Sequence, residues 1–225
     1  MSAQPKGDHE QPDILARGPW ATERVRTSWR PEHFEPSAEH AHAADAAIRE
    51  LRERGSPSHD GVAARLVDYR EDEHGITLEL QPLRWALRLV AGDASHSVAA
   101  LCVTRASDGR WLAGRRATWV ASWAGRWALG AGGAVDLGEN PVDTLIRELN
   151  EEWSVSPSRV RGEALVRLPQ GLVMFVGQAW LAEGDDAAVT PDHEHDAFAW
   201  WPAEIDEWPA EAEAPLRLMA RWLSE

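Results

Sequence analysis

The sequence predicts an α+β protein, because strand-like segments outnumber helical ones and the two kinds are mixed along the chain. Segments with alternating apolar residues, the period of a β-strand, recur between residues 62 and 201. Turn signals separate them, and the clearest is Ser107-Asp108-Gly109, an Asp-Gly pair of the kind that closes hairpins. Only four segments have helical spacing, and no internal repeat is present.

The first part of the chain predicts an arm followed by a helix. Residues 1–36 are rich in proline and charge, so we expect them to be flexible or draped over the body. A helix is expected over 38–54, because Ser37 suits its N-cap, Gly55 suits the residue after its end, and Pro57 cannot continue it.

The rest of the chain predicts strands joined by short turns, with helices concentrated near the end. The change to a period of two begins at residue 62 and indicates a hairpin that turns at 71–75. The predicted strands are 62–69, 76–80, 83–90, 97–105, 110–116, 127–135, 164–168, 172–181 and 197–201, and the predicted helices are 141–153, 203–208 and 212–223.

Composition excludes several classes of function. The formal net charge is -14, so general binding to nucleic acid or to an anionic membrane surface is disfavoured. Cys102 is the single cysteine, which rules out an intrachain disulfide and a cysteine-based zinc site. The first 20 residues contain no apolar core of a signal peptide, and no apolar stretch approaches the roughly 20 residues of a membrane span. We therefore expect a soluble cytoplasmic protein.

The helix at 141–153 carries the most informative pattern. Asn140 suits its N-cap and Pro141 its first position. Glu148, Glu151 and Glu152 share one face, where each like-charged pair costs a few tenths of a kcal/mol. Such a cluster is commonly a solvated acidic surface, but it is also the oxygen-rich ligand set that Mg²⁺ prefers. The expected buried face consists of Val142, Leu145, Ile146, Leu149 and Trp153.

The segment from residue 133 to residue 155 resembles the Nudix box, Gly-x5-Glu-x7-Arg-Glu-U-x-Glu-Glu-x-Gly-U, in which U is a bulky apolar residue. Ser154 departs from it, standing where the family has glycine. If the family's left-handed conformation is kept there, serine would cost about 1–2 kcal/mol. The positions that match are Gly133, Glu139, Arg147, Glu148, Leu149, Glu151, Glu152 and Val155.

The resemblance implies a Nudix fold, with a mixed β-sheet between helices in three layers (α/β/α). It implies a Nudix domain over residues 61–225, whose core is 95–225 and is preceded by an accessory hairpin. Residues 1–60 would form the N-terminal arm and helix. Residues before 95 are either a small accessory domain or a dimerisation arm, and the second reading allows a homodimer.

The resemblance also implies a metal site for Mg²⁺ or Mn²⁺. Arg147 would orient Glu148, and Glu139 would lie at the edge of the site, on a second metal, a water or the substrate. The general base of the family lies on the box helix or on a later loop, and here Glu148, Glu151 or Glu194 would serve. The implied metal ligands are the Gly132 carbonyl, Glu148, Glu151, Glu152 and Glu194.

Two further regions are candidates for the site. The loop 190–196 holds Glu194 between His193 and His195, and we interpret both histidines as surface residues. Upstream, Arg115 and Arg116 either bind substrate phosphate or are exposed strand residues. Four tryptophans precede the box, and each either stacks on a nucleobase or packs in the core, with Trp127 the candidate for substrate binding. The four are Trp111, Trp119, Trp123 and Trp127.

The function implied is a metal-dependent Nudix hydrolase, which cleaves the diphosphate linkage of a nucleoside diphosphate joined to another moiety, as in nucleoside diphosphate sugars or ADP-ribose. One alternative is a non-catalytic Nudix-fold nucleotide sensor, although such proteins usually lose box carboxylates. The other is an enzyme like isopentenyl diphosphate isomerase. That family needs a cysteine and a histidine where this chain has Gly132 and Ala134, which disfavours it.

Overall fold

The structure is a computed structural model that describes residues 12–56, 60–120 and 122–225. Short strands dominate the element order, as the alternating apolar segments predict. Within these residues the elements are β1 (Asp13–Ala21), β2 (Val25–Trp29), α1 (Ala38–Glu53), β3 (Val62–Asp72), β4 (Gly75–Arg84), β5 (Val98–Arg105), β6 (Trp111–Arg116), β7 (Trp127–Leu129), β8 (Ala131–Ala134), α2 (Pro141–Trp153), β9 (Arg159–Arg167), β10 (Val173–Trp180), β11 (His195–Trp201) and α3 (Ala214–Leu223).

The main sheet is mixed and lies between two helices. Its path is β1-β9-β10-β5-β6-β11, with β7 paired to β6 and β8 paired to β5. The β5–β10 pair is parallel, whereas the other pairs are antiparallel. Helix α2 buries Leu145 and Leu149 in one apolar cluster, and α3 buries Leu216 in another. The predicted α+β class and the α/β/α Nudix layering are thus confirmed.

The N-terminal segment differs from the expected arm. Residues 13–29 form β1 and β2, and β1 pairs with β9 at the edge of the main sheet. Trp20 and Val25 are buried in the same cluster as α2. The pairing partner of β1 lies more than a hundred residues away, so the local sequence could not show it. Residues 1–11 of the expected arm lie outside the described residues.

A second sheet, of order β2-β4-β3, packs beside the main one. Leu78 and Leu80 of β4 are fully buried in the cluster that also contains Val98 of β5. The backbone N–H of Ala64 on β3 donates to the carbonyl of Val135, 2.8 Å away, just beyond β8. This sheet therefore shares a core with the main sheet. The division at residue 60 stays a prediction.

Several strand predictions are wrong in their extent: the strand expected over 164–168 begins at Arg159, and two others differ for a clear physical reason. The strand expected over 83–90 ends at Arg84, and a 3-10 turn follows at Trp85–Leu89. There Ala86 and Leu87 pack against α1, which the spacing of a helical turn allows and a strand would not. The strand expected over 127–135 is two strands, because Gly130 has φ +65° and a Cβ there would lie 1.7 Å from the Cys102 carbonyl oxygen.

The helix predictions are mostly confirmed. Ser37 caps α1 by accepting from the backbone N–H of His40, and Gly55 has φ +77° beyond the helix end. Pro57 lies outside the described residues. The helix expected over 203–208 is wrong, since only a 3-10 turn at Ile205–Glu207 forms. None of the described helices combines the length and apolar character that a membrane crossing requires.

Candidate active site

The box helix α2 is fixed at its start by local signals. The Asn140 side chain accepts a hydrogen bond from the Val142 backbone N–H at 3.0 Å, and Asp143 accepts from the Asn140 N–H at 3.3 Å. This capping box satisfies donors that have no partner inside the helix. Asn140 Nδ2 also donates to the Val25 carbonyl at 2.8 Å, which joins the helix to β2. The expected buried face forms, except that Ile146 is 39% exposed.

The first glycine of the box gives room to a carboxylate. Gly133 lies on β8, and a Cβ built on it would stand 2.0 Å from Glu148 Oε1. Any other residue would therefore displace Glu148. The backbone N–H of the neighbouring Gly132 donates to Glu152 Oε1 at 3.0 Å. The two glycines of β8 thus allow Glu148 and Glu152 to lie against the strand.

Arg147 organises the carboxylates on the other side. Its Nε donates to Glu139 Oε1 at 2.8 Å, and its Nη1 donates to Glu148 Oε1 at 2.7 Å and to Glu151 Oε2 at 3.1 Å. Its Nη2 donates to the Ala134 carbonyl at 3.1 Å. These contacts raise the pKa of Arg147, chiefly through the hydrogen bond to Glu139, so the side chain stays charged. This contact between Arg147 and Glu148 is the one that the proposed orienting role of Arg147 requires.

Glu152 is buried, Glu148 is mostly buried, and both lie close to other acids. Burial raises the pKa of Glu148 to about 7; Glu151 and Glu194 add repulsion, while Arg147 opposes the shift. Burial also raises the pKa of Glu152 well above its usual range, against the Gly132 N–H and Arg116. When Glu148 and Glu152 are ionised, the positive charge around them is too small to balance their negative charge. A divalent cation would supply the missing positive charge.

The loop 190–196 packs against the box helix, as expected. The backbone N–H of Asp192 donates to the Glu152 carbonyl at 2.8 Å, and the backbone N–H of Thr190 donates to the Trp153 carbonyl at 3.0 Å. Arg116 on β6 then joins the two parts. Its Nη2 lies 2.9 Å from Glu194 Oε2, and its Nη1 lies 3.9 Å from Glu152 Oε2. Glu194 is thus brought beside the box carboxylates.

The prediction that His195 is a surface residue is wrong. Its side chain is 1% exposed, with Nε2 3.6 Å from Glu152 Oε2 and Nδ1 3.2 Å from Asp192 Oδ1. Its ring lies 4.4 Å from that of Trp153, and burial lowers its pKa. The signal that could have found it is the alternation of β11, which turns His195 inward where Asp196 turns outward.

The other predicted site residues lie in three places: Arg115 at the surface, Glu139 at the site and Trp127 against the core. Arg115 pairs with Asp196 at 2.6 Å, because adjacent strand residues face opposite ways and only Arg116 faces the box. Glu139 is held by Arg147 and by the Thr144 hydroxyl, which donates to it at 2.7 Å. Trp127 packs into the α3 cluster, with its ring 5.6 Å from that of Trp201.

The donor set fits a hard divalent cation by its chemistry. It consists of carboxylates, of which Glu148 and Glu152 have raised pKa values, and carboxylate oxygens suit Mg²⁺ or Mn²⁺. In the described part of the chain, no three His, Cys, Asp or Glu side chains converge as they stand on a common point that would hold a metal. Glu148 and Glu151 are instead turned to Arg147, and Glu194 to Arg116.

Comparisons with known proteins agree with the box. A family model described as the NUDIX domain matches residues 95–223. Among proteins with curated functions, none matches this chain. Among solved structures, the MutT protein of Methanosarcina mazei Go1 is 19% identical over 57% of this chain and 95% of its own, with a TM-score of 0.43.

Two further solved structures are similar to a comparable extent. The MutT NUDIX hydrolase of Burkholderia pseudomallei is 24% identical over 56% of this chain and 97% of its own, with a TM-score of 0.46. The NUDIX domain of Shewanella oneidensis NrtR, solved with ADP ribose, is 22% identical over 57% of this chain and 88% of its own, with a TM-score of 0.44. At this similarity they say nothing about the substrate of this chain.

Proposed function

We propose, from the premise that this chain belongs to the Nudix family, that it uses a divalent cation to cleave the diphosphate linkage of a nucleoside diphosphate joined to another moiety. Membership of the family confirms the predicted enzyme class, a Nudix hydrolase that acts on pyrophosphate linkages. The metal dependence and the substrate class are our proposals.

One observation supports the metal dependence more than any other. Burial is the largest cause that raises the pKa of Glu148 and of Glu152; repulsion from Glu151 and Glu194 adds to it at Glu148, and repulsion from Glu148 and Glu194 adds to it at Glu152. A protein gains no stability from such mutual repulsion. The arrangement is understandable if these groups serve as ligands, because a cation between them removes the repulsion.

In the proposed site, Glu148, Glu151, Glu152 and Glu194 hold the cation together with the Gly132 carbonyl. A bound Mg²⁺ or Mn²⁺ neutralises diphosphate oxygens and makes a water more acidic. The chain itself fixes the ligands: Arg147 holds Glu148 and Glu151, the Gly132 N–H holds Glu152, and Arg116 holds Glu194. The charge of Arg116 also suits the binding of a substrate phosphate.

The proton of the attacking water goes to a carboxylate of the box helix or to Glu194, and two readouts distinguish these roles. A ligand whose carboxylate is replaced should lose both Mn²⁺ affinity and kcat. A general base that is not a ligand should lose kcat and keep Mn²⁺ affinity. We expect Glu152→Gln to show the first pattern. The same pair of measurements on Glu194→Gln and Glu151→Gln assigns each of them to one role.

The proposal is tested by a screen of nucleoside diphosphate sugars, ADP-ribose, dinucleotides and nucleoside triphosphates with Mg²⁺ or Mn²⁺, in which chromatography detects the nucleoside phosphate that cleavage of the diphosphate linkage releases. We expect turnover of at least one diphosphate-linked nucleoside, and its loss in Glu152→Gln. Glu53→Gln, the same substitution on the exposed side of α1, is the matched control and should turn over like the wild type. Turnover by Glu152→Gln at the wild-type rate would contradict the mechanism. If one of these compounds binds but none is turned over, the reading as a nucleotide sensor is favoured.

A further inference from the structure

The loop between β6 and β7, described at residues 117–120 and 122–126, borders the proposed site. The Ala117 backbone N–H donates to the Glu194 carbonyl at 2.7 Å, and Arg116, the residue before the loop, pairs with Glu194. The loop is therefore attached to the segment that carries Glu194. We call it the tryptophan loop, because it contains Trp119 and Trp123.

Trp119 stacks on a histidine of the facing loop. Its ring centroid lies 5.3 Å from that of His193, and the two planes differ by 15°. The His193 side chain is 72% exposed, and Trp119 is half-buried. The two rings are therefore stacked nearly parallel, with the more exposed His193 ring covering one face of the indole, and His193 immediately precedes Glu194 in the chain.

The core does not account for this position of Trp119. Trp111 and Trp201 are buried in the cluster under α3, and the partly buried Trp127 packs against that cluster, so these contacts contribute to folding. Trp119 packs against none of the three buried clusters formed by the described residues. An indole that is left half in water has given up part of the hydrophobic stabilisation that a core position would provide.

Backbone hydrogen bonds at the two ends of the tryptophan loop help to set its conformation. The backbone N–H groups of Arg116 and Gly125 donate at 2.9 Å to the carbonyls of Arg126 and Arg116, respectively. Trp123 has φ +58°, a conformation that is costly for a bulky residue, and the Arg126 guanidinium lies 4.3 Å from its ring centroid. Backbone strain of this kind occurs at ligand sites, where the surrounding structure maintains it.

We propose that Trp119 is the residue on which the nucleobase of the substrate stacks, with His193 supporting the indole from behind. This inference rests on the proposed function, because it assigns the nucleoside end of the proposed substrate. Any nucleobase offers a flat face to an indole, so stacking of this kind recognises the base as a class. The diphosphate then extends from the base past Arg116 towards the box carboxylates.

The competing explanation is that Trp119 and His193 only hold the two loops together. The two readings differ in what they predict for base-free ligands. A ring that only fastens the loops would, when removed, weaken the binding of every ligand of the site. A ring that stacks on the base would, when removed, weaken only the ligands that carry a base.

The experiment measures binding by calorimetry, in Mg²⁺, of α,β-methylene-ADP and of methylenediphosphonate, which share a non-hydrolysable P–C–P linkage. We expect Trp119→Ala to weaken α,β-methylene-ADP about tenfold, or about 1.4 kcal/mol, and to leave methylenediphosphonate unchanged. Trp119→Phe keeps an aromatic face and should retain most of the affinity. Trp123→Ala removes the other tryptophan of the loop and should leave the preference for the base unchanged.

The proposal is overturned if Trp119→Ala weakens both ligands alike, or if it weakens neither. It is also overturned if Trp123→Ala, and not Trp119→Ala, removes the preference for the base. Turnover in the substrate screen is an independent readout. A protein that binds the base through Trp119 but hydrolyses nothing would contradict the proposed function alone, whereas turnover with binding that ignores the base would contradict the stacking alone.

Discussion

Ser154 occupies the position at which the box normally has glycine, and its replacement by glycine should stabilise the protein. Ser154 ends α2 with φ 59° and ψ 26°, in the left-handed region, while its N–H donates to the Asn150 carbonyl. The family's conformation is thus kept in spite of the substitution. A Cβ makes that conformation sterically strained, and glycine, which has no Cβ, avoids the strain.

The size of the effect follows from two opposing contributions. Relief of the left-handed strain is worth about 1–2 kcal/mol, and the greater freedom of glycine in the unfolded chain costs about 0.4–1 kcal/mol. Ser154 is exposed, so Ser154→Gly removes little packing, and the backbone hydrogen bond to Asn150 is retained. We therefore expect the free energy of unfolding to rise by about 1 kcal/mol, which raises Tm by about 2–4 °C in a chain of this size.

Urea unfolding followed by tryptophan fluorescence measures this difference, with EDTA present so that bound cations add nothing to the folded state. Ser154→Ala is the control, because it removes the hydroxyl and keeps the Cβ. It should stay within about 0.5 kcal/mol of the wild type, as surface substitutions usually do. If Ser154→Gly proves no more stable than Ser154→Ala, strain at this position is not the cause, and the reasoning fails.

Three further outcomes are expected. Gly133→Ala should lower kcat about 100-fold on any substrate found, because its Cβ would occupy the place of Glu148 Oε1; an unchanged kcat would show that Glu148 need not lie there. Cys102 is fully buried with its pKa raised to about 12, so the native protein should not react with a thiol reagent at pH 8 and the unfolded protein should; labelling of the native thiol would contradict its burial. Trp20→Ala should cost about 3–5 kcal/mol in urea unfolding, since Trp20 is buried against Phe175; a cost near zero would mean that the N-terminal segment is not part of the core.

The features that the sequence predicted well are local ones. The box helix begins and ends where Asn140 and Trp153 indicate, because capping and the i, i+3, i+4 spacing act within one or two turns. The contact between Arg147 and Glu151 follows from that spacing, whereas the contact with Glu148, the next residue, was predicted from the family resemblance, and Glu139 lies in the preceding loop. The approach of Glu194 to the box was predicted from the family resemblance alone.

The features that were missed depend on pairing between distant segments. The edge strand β1 exists through β9, and the two sheets share one core through Trp20 and Leu78. Whether a residue of a short strand faces the core depends on register, and a shift of one residue reverses it. His195 was expected on the surface because the strand was predicted to begin at residue 197, whereas β11 begins at His195 and turns this side chain towards Glu152.

By itself, the sequence determined the family, the box helix and the set of carboxylates, because those depend on spacing along one stretch of chain. Only the tertiary structure decided which of the other residues belong to the site. It turned Arg116 towards Glu194 and Arg115 away, and it packed Trp127 against the α3 cluster while leaving Trp119 beside the facing loop. The physical reason is that strand register and loop packing are fixed by contacts between segments that are far apart in sequence.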